Sequence, residues 1–184
     1  RVMLPQNFFT NLKFITALEI SDGDFSNVSK NGLNGLGNLE ALSVEDPINF
    51  SHVEFKGLSK LKWLRFEFDR DEIPRFDQVN PDLQVLEFYL RFDTDKSVFE
   101  SKVSQIFNFR KLKAFSFRGS DLLDFDLKCL TSGKSDHKKS EMNEMIDLTN
   151  NLRHLSLDKF KSIKGSYSKF CNLRSLDLIN IKSF

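Results

Sequence analysis

The chain has 184 residues, 40% of them hydrophobic and 29% charged, with a formal net charge of +1. That length suffices for one domain with a sizeable core, and the near-neutral balance supplies no global field to attract nucleic acid or an anionic membrane. No apolar run of 18 residues exists to span a bilayer, and Cys129 and Cys171, read as semi-buried free thiols, are too few for a disulfide framework and lack zinc-ligand spacing.

In chain order, the sequence opens on Arg1 without a basic-then-apolar leader and closes at Phe184, so both ends are expected to be cuts in a longer protein. The first pattern is Phe9-x-x-Leu12 leading into Ile15-x-x-Leu18-x-Ile20. A step of three fits a slowly turning connection, and a step of two fits a strand with alternating sides. The spacing therefore predicts a bend that delivers a short strand with its last two anchors inward. Leu33-x-x-Leu36 leads likewise to Leu39-x-x-Leu42-x-Val44, and Phe55-x-x-Leu58 to Leu61-x-x-Leu64-x-Phe66. Leu83-x-x-Leu86-x-Phe88 follows, with Phe76 and Val79 one residue out of register before it and Phe92–Gln105 as a solvated flank after it. Ile106-x-x-Phe109 then leads to Leu112-x-x-Phe115-x-Phe117.

Here the count fails. An irregular polar insertion is expected around 119–148, and Ser132–Glu141 within it is free of apolar residues, the composition of a surface loop. Leu122-Leu-Asp-Phe125-Asp-Leu127 mimics a strand but follows Phe115 too closely for another full unit, which predicts a position on the convex side or the flank. Met142–Leu148 is expected as a short helix leading back. Ile146 and Leu148 are the fillers ahead of Leu152-x-x-Leu155-x-Leu157, and Tyr167-x-x-Phe170 precedes Leu173-x-x-Leu176-x-Leu178.

These are seven copies whose middle anchors are 24, 22, 22, 29, 40 and 21 residues apart. One unit cannot bury its own apolar face and needs its copies. Leu-x-x-Leu-x-Leu at this period resembles the leucine-rich repeat, over nearly the whole chain. The resemblance implies an α/β solenoid: a horseshoe with a concave parallel sheet of about seven short strands and irregular or short helical convex segments, as a single unit over 1–184 without recognisable caps. Leu4-Pro5, Phe8-Phe9 and Leu12 are similar to the convex segment of extracellular, Toll-receptor-type repeats, and Ile73-Pro74 is a looser match. One departure is clear. Such repeats carry Asn or Cys three residues past the last strand anchor, where this chain has Gly23, Pro47, Asp69, Arg91, Ser120, Phe160 and Ile181. The buried backbone at that bend must then find other partners. Phe at Phe66, Phe88, Phe115 and Phe117 reads as a packing spine worth about 1.5–3 kcal/mol per ring.

Enzyme templates fail: no phosphate loop, nucleophile elbow or HExxH is present, and His52, His137 and His154 share no metal-ligand spacing. No catalytic residue, cofactor site or metal site is assigned. Cys171 and His154 fall in neighbouring units, but Cys171 belongs to the apolar run-in rather than to a nucleophilic pair. Asn27-Val-Ser29 and Asn49-Phe-Ser51 are possible glycosylation acceptors, compatible with secretion at a frequency that chance also supplies.

The residues alternating with the anchors face the concavity. They include Glu19, Glu45, Trp63, Arg65, Glu67, Glu87, Tyr89, Arg118, Asp158 and Asp177, six acids against two arginines. The single Trp stands beside Arg65 and one unit from Tyr89, and these are residue types enriched at binding hot spots. The expectation is a non-catalytic scaffold that binds a protein partner with a basic patch through Trp63, Arg65, Glu67, Glu87, Tyr89, Glu45, Arg118 and Asp158. The acidic strip has the wrong sign for nucleic acid. Two contexts stay open: a receptor or adhesion ectodomain outside the cell, slightly favoured by Leu4-Pro5 with Phe8-Phe9 and permitted by the sequons, and the repeat region of an intracellular F-box-type adaptor, favoured by the missing asparagines and uneven unit lengths.

Overall fold

A computed structural model of the protein describes residues 2–21, 25–45, 53–68, 78–90, 109, 111–120, 123–130 and 148–183. Within them, the steps of three are turns closed by hydrogen bonds from residue i+3 back to residue i. Leu12 N–H donates to Phe9 O at 2.9 Å and Ile15 N–H to Leu12 O at 3.3 Å. The same two bonds link Leu33, Leu36 and Leu39, then Phe55, Leu58 and Leu61, then Tyr167, Phe170 and Leu173. Three residues per turn bring every third side chain to one side, so Leu33, Leu36, Leu39, Leu58 and Leu61 are buried. Ahead of Leu83, where the pattern slips, Asn80 takes the anchor's place. Its carbonyl accepts from Leu83 N–H, and its side-chain amide donates to Ser59 O and Leu61 O of the preceding unit, both at 2.9 Å.

Eleven strands occur among the described residues: β1 (Val2–Leu4), β2 (Ala17–Ile20), β3 (Phe25–Val28), β4 (Ala41–Val44), β5 (Trp63–Phe68), β6 (Val85–Leu90), β7 (Ala114–Arg118), β8 (Asp124–Asp126), β9 (His154–Asp158), β10 (Ser162–Lys164) and β11 (Ser175–Ile179). One parallel sheet runs through β2, β4, β5, β6, β7, β9 and β11, in chain order. Its register is that of the sequence alignment: Leu18, Leu42, Leu64, Leu86, Phe115, Leu155 and Leu176 stand side by side, and so do Ile20, Val44, Phe66, Phe88, Phe117, Leu157 and Leu178. Seven short parallel strands with little helix are compatible with a solenoid-like α/β arrangement.

The hand-over between units is the same at every step. Thr16 O accepts both Glu40 N–H, at 2.7 Å, and Ala41 N–H, at 3.0 Å; Glu40, Lys62, Gln84, Lys113 and Arg153 carbonyls each hold two N–H groups of the next unit in the same way. Unit length can vary because the extra residues enter the crossovers and leave these paired bonds untouched.

The buried face is aromatic. Phe66 stacks on Phe88 at 6.2 Å, Phe88 lies 4.5 Å from Phe117, and Phe117 lies 5.0 Å from Phe160. Off the main sheet, β1 pairs with β3 and β8 with β10, each in parallel. Of the strand-like segment, Asp124–Asp126 forms β8, outside the main sheet. From there Phe125 is fully buried against Phe160, 5.1 Å away. At the three described bends, around Ser120, Phe160 and Ile181, main-chain bonds form: Gly119 N–H donates to Asp158 O at 2.8 Å, Lys161 N–H to Leu123 O at 2.8 Å, and Lys182 N–H to Phe160 O at 3.2 Å.

Some expectations are corrected. Leu12 and Leu176, read as core anchors, are 41% and 38% exposed; they belong to the first and last units of the main sheet among the described residues. Cys171, read as semi-buried, is exposed. It follows the anchor Phe170 and points away from it, its thiol toward Ser168 O and Lys169 O. The helical turn before β9 is Leu148–Asn151. Asn49, His52, Ile73-Pro74, Phe76, Phe92–Gln105, Ile106, residues 131–141 and 142–147 lie outside the described residues. No helix among the described residues is long and apolar enough to cross a membrane.

Candidate functional site: the open face of the sheet

Alternation along each strand turns Leu64 and Phe66 into the core and leaves Trp63, Arg65 and Glu67 half-buried on the other face. The parallel register then lines these side chains up in three rows across the strands. Trp63 stands beside Val85, Arg65 beside Glu87, and Glu67 beside Tyr89.

Five of the expected site residues meet in one cluster. Trp63 Nε1–H donates to Glu87 Oε1 at 3.0 Å. Arg65 pairs with Glu45, Nη2 to Oε1 at 3.2 Å, and its guanidinium sits over the Tyr89 ring, 5.1 Å from the centroid. Burial pushes the Tyr89 phenol above its usual 10.0. Arg65 and Arg118 pull the other way, and the Glu87 carboxylate, which accepts a hydrogen bond from the phenol, pushes it further up. Because Arg65 is held by a carboxylate and a ring, the rotamer freedom of a long side chain is spent before any partner arrives.

Arg118 and Asp158 form a second pair, Nε to Oδ2 at 3.3 Å, on the β7–β9 side of Tyr89. Asn180, one residue past β11, donates Nδ2–H to Asp158 Oδ1 at 2.9 Å. Sequence reasoning missed Asn180, although its place one step after the strand motif was visible. Glu67 stands opposite Tyr89 on the neighbouring strand. Ser43 alternates with the anchors Leu42 and Val44 and is nonetheless buried, between Arg65 on β5 and Glu19 on β2. His154 Nδ1 lies 2.8 Å from Ser175 Oγ, so that imidazole is engaged by a hydroxyl one unit on. Among the described hydrogen bonds none joins it to Cys171.

The row holding Trp63 was also overlooked as a unit. Ala17, Ala41, Trp63, Val85 and Ala114 are consecutive neighbours across five strands, and their shared motif position was the signal. Asn27 falls in β3, its backbone opposite Met3. In that sequon Ser29 Oγ is buried without a hydrogen-bond partner. Among the described residues no group of three or more His, Cys, Asp or Glu is placed to hold a metal ion.

No family model matches the chain, and no curated protein matches it.

Proposed function

We propose that the chain is a leucine-rich-repeat horseshoe whose open sheet face is the concave side, and that it serves as a non-catalytic scaffold for binding a protein partner there. The carrying observation is the cluster of Trp63, Glu87, Tyr89, Arg65 and Glu45, in which two aromatic rings and an arginine are already fixed by mutual contacts. Pre-ordered Trp, Tyr and Arg side chains are the means by which a few residues supply most of a binding energy. Six acids against two arginines on this face suit a partner with a basic patch and oppose a phosphate backbone.

The test replaces Ala41 or Glu67 with a photo-crosslinking amino acid in the full-length protein, in its native cells. Adducts should form from these positions and not from Lys56 on the run-in surface. A partner so captured should bind the Trp63→Ala/Tyr89→Ala variant with a loss of about 2 kcal/mol or more, at unchanged melting temperature. Equal crosslinking from both surfaces, or an unchanged binding constant, removes the proposal.

The favoured setting is a receptor or adhesion ectodomain, on the strength of Leu4-Pro5 ahead of Phe8-Phe9. The adaptor reading, the repeat region of an F-box-type protein, is supported by the missing asparagines at the bend and by the uneven units. Antibody labelling of intact cells carrying the tagged full-length protein separates them: surface staining selects the receptor, and staining only after permeabilisation selects the adaptor.

A further inference from the structure

Resting on that recognition reading, we infer that the segment bound on the open face is an amphipathic α-helix, basic along one flank, lying across the strands over Ala17, Ala41, Trp63, Val85 and Ala114. The first observation is the row itself. Four small or β-branched residues surround a single tall indole, and all five are register neighbours. Alanine at three of the five places lets a helix backbone approach the sheet, while Trp63 supplies one knob held by Glu87. Beyond β7 the row turns polar, with His154 hydrogen-bonded to Ser175. The apolar track is therefore five strands long.

The second observation is spacing. Neighbouring strands stand about 4.8 Å apart, so the track is about 19 Å from first strand to fifth. A helix laid along it offers one apolar residue per turn of about 5.4 Å, and after four steps it is out of phase by about 2–3 Å. An extended peptide repeats the same face about every 6.8 Å and would be out of phase by about 8 Å, more than a whole strand. The third observation is charge. Glu19, Glu45, Glu67 and Glu87 lie alongside this track, in the two neighbouring rows on β2–β6, where Arg65 is the one facing cation. A helix with Lys or Arg on the flank toward those carboxylates is complementary, and an acidic one is repelled.

The experiment selects binders to the intact chain from two display libraries of random 16-residue segments, one held helical on a scaffold and one flanked by prolines so that it stays extended. The expected clones are helical, with apolar residues three and four apart and Lys or Arg beside them. They should bind about tenfold or more weakly to Trp63→Ala and to Ala17→Arg, and should weaken with salt. Ala17 is exposed, so its replacement leaves the core intact. Both variants are admitted only if their thermal melts match the parent, and should Trp63→Ala fail that check, Ala17→Arg carries the comparison. Clones from the extended library, or clones with acidic flanks, that still respond to these substitutions overturn the helix while leaving the recognition face standing. Clones indifferent to both substitutions, or none at all, overturn the face and the helix together.

Discussion

Trp63 shows how a side chain acquires a job from its neighbours. On a lone strand it would be an exposed indole, but one strand away Glu87 accepts its N–H, and Glu87 in turn holds the Tyr89 phenol. Only two tyrosines exist in the chain, and burial raises both, Tyr89 and Tyr167, above the usual 10.0. An acid whose pKa is raised by folding favours the folded state below its unfolded pKa and loses that contribution as pH rises beyond it. Ultraviolet titration should therefore show no phenol ionising at the ordinary value while the protein stays folded, and stability should decline above pH 10. A phenol titrating at its free value would contradict the burial. Asp124 works in the opposite sense. The Ser162 hydroxyl, 2.6 Å from Oδ1, is the largest influence holding its carboxyl below its usual 3.8; desolvation comes next and opposes it, and Lys161 and Lys164 add smaller lowering effects. Its contribution is present above the unfolded value and is lost as pH falls through the lower folded one. Asp124→Asn should lower the melting temperature near neutrality, and the gap to the parent should close in acid. A gap that stays constant with pH would show that the carboxylate charge is not what matters.

At the scale of elements, the junction of β7, β8 and β9 is tightly packed. A Cβ on Gly119 would lie 2.4 Å from the Phe160 ring, and that ring is packed on Phe117 and Phe125. Gly119→Ala should cost about 1–3 kcal/mol by overpacking. Gly57→Ala, where nothing lies within 4 Å of the added atom, should be close to neutral. Paired thermal melts check this, and equal losses would contradict the packing at Phe160. Phe117→Ala removes the ring that joins Phe88 to Phe125 and Phe160 and should cost about 3–5 kcal/mol. The flank strand β8 was legible as a strand from Leu123, Phe125 and Leu127. Its partner β10 was not, because Ser162-Ile163-Lys164 offers one apolar residue and owes its pairing to the main chain and to the Ser162–Asp124 contact.

Across the molecule, coupling between units runs through the core and the repeated double hydrogen bonds rather than through distant contacts. Leu64 is buried between Leu42 and Leu86, one strand on either side. Leu64→Asp would place an unpaired charge there and uncouple the neighbouring units. The expected outcome is a broad or split thermal transition by circular dichroism in place of a single cooperative one. An unchanged melt would refute the register.

What the sequence settled by itself is the seven strands of the main sheet and the register of their anchors. The switch from steps of three to steps of two sorts residues into anchors and outward positions within a unit, and a parallel register copies that sorting from unit to unit. Leu18 through Leu178 could therefore be aligned without coordinates. Partner choices between units were left to the tertiary structure. Arg65 had Glu45, Glu67 and Glu87 within one strand, and its pairing with Glu45 and its seat on Tyr89 depend on rotamers and neighbouring bulk that no spacing encodes. The fates of Leu12, Leu176 and Cys171 depended equally on position in the assembled stack, because burial belongs to neighbours on both sides and not to the residue.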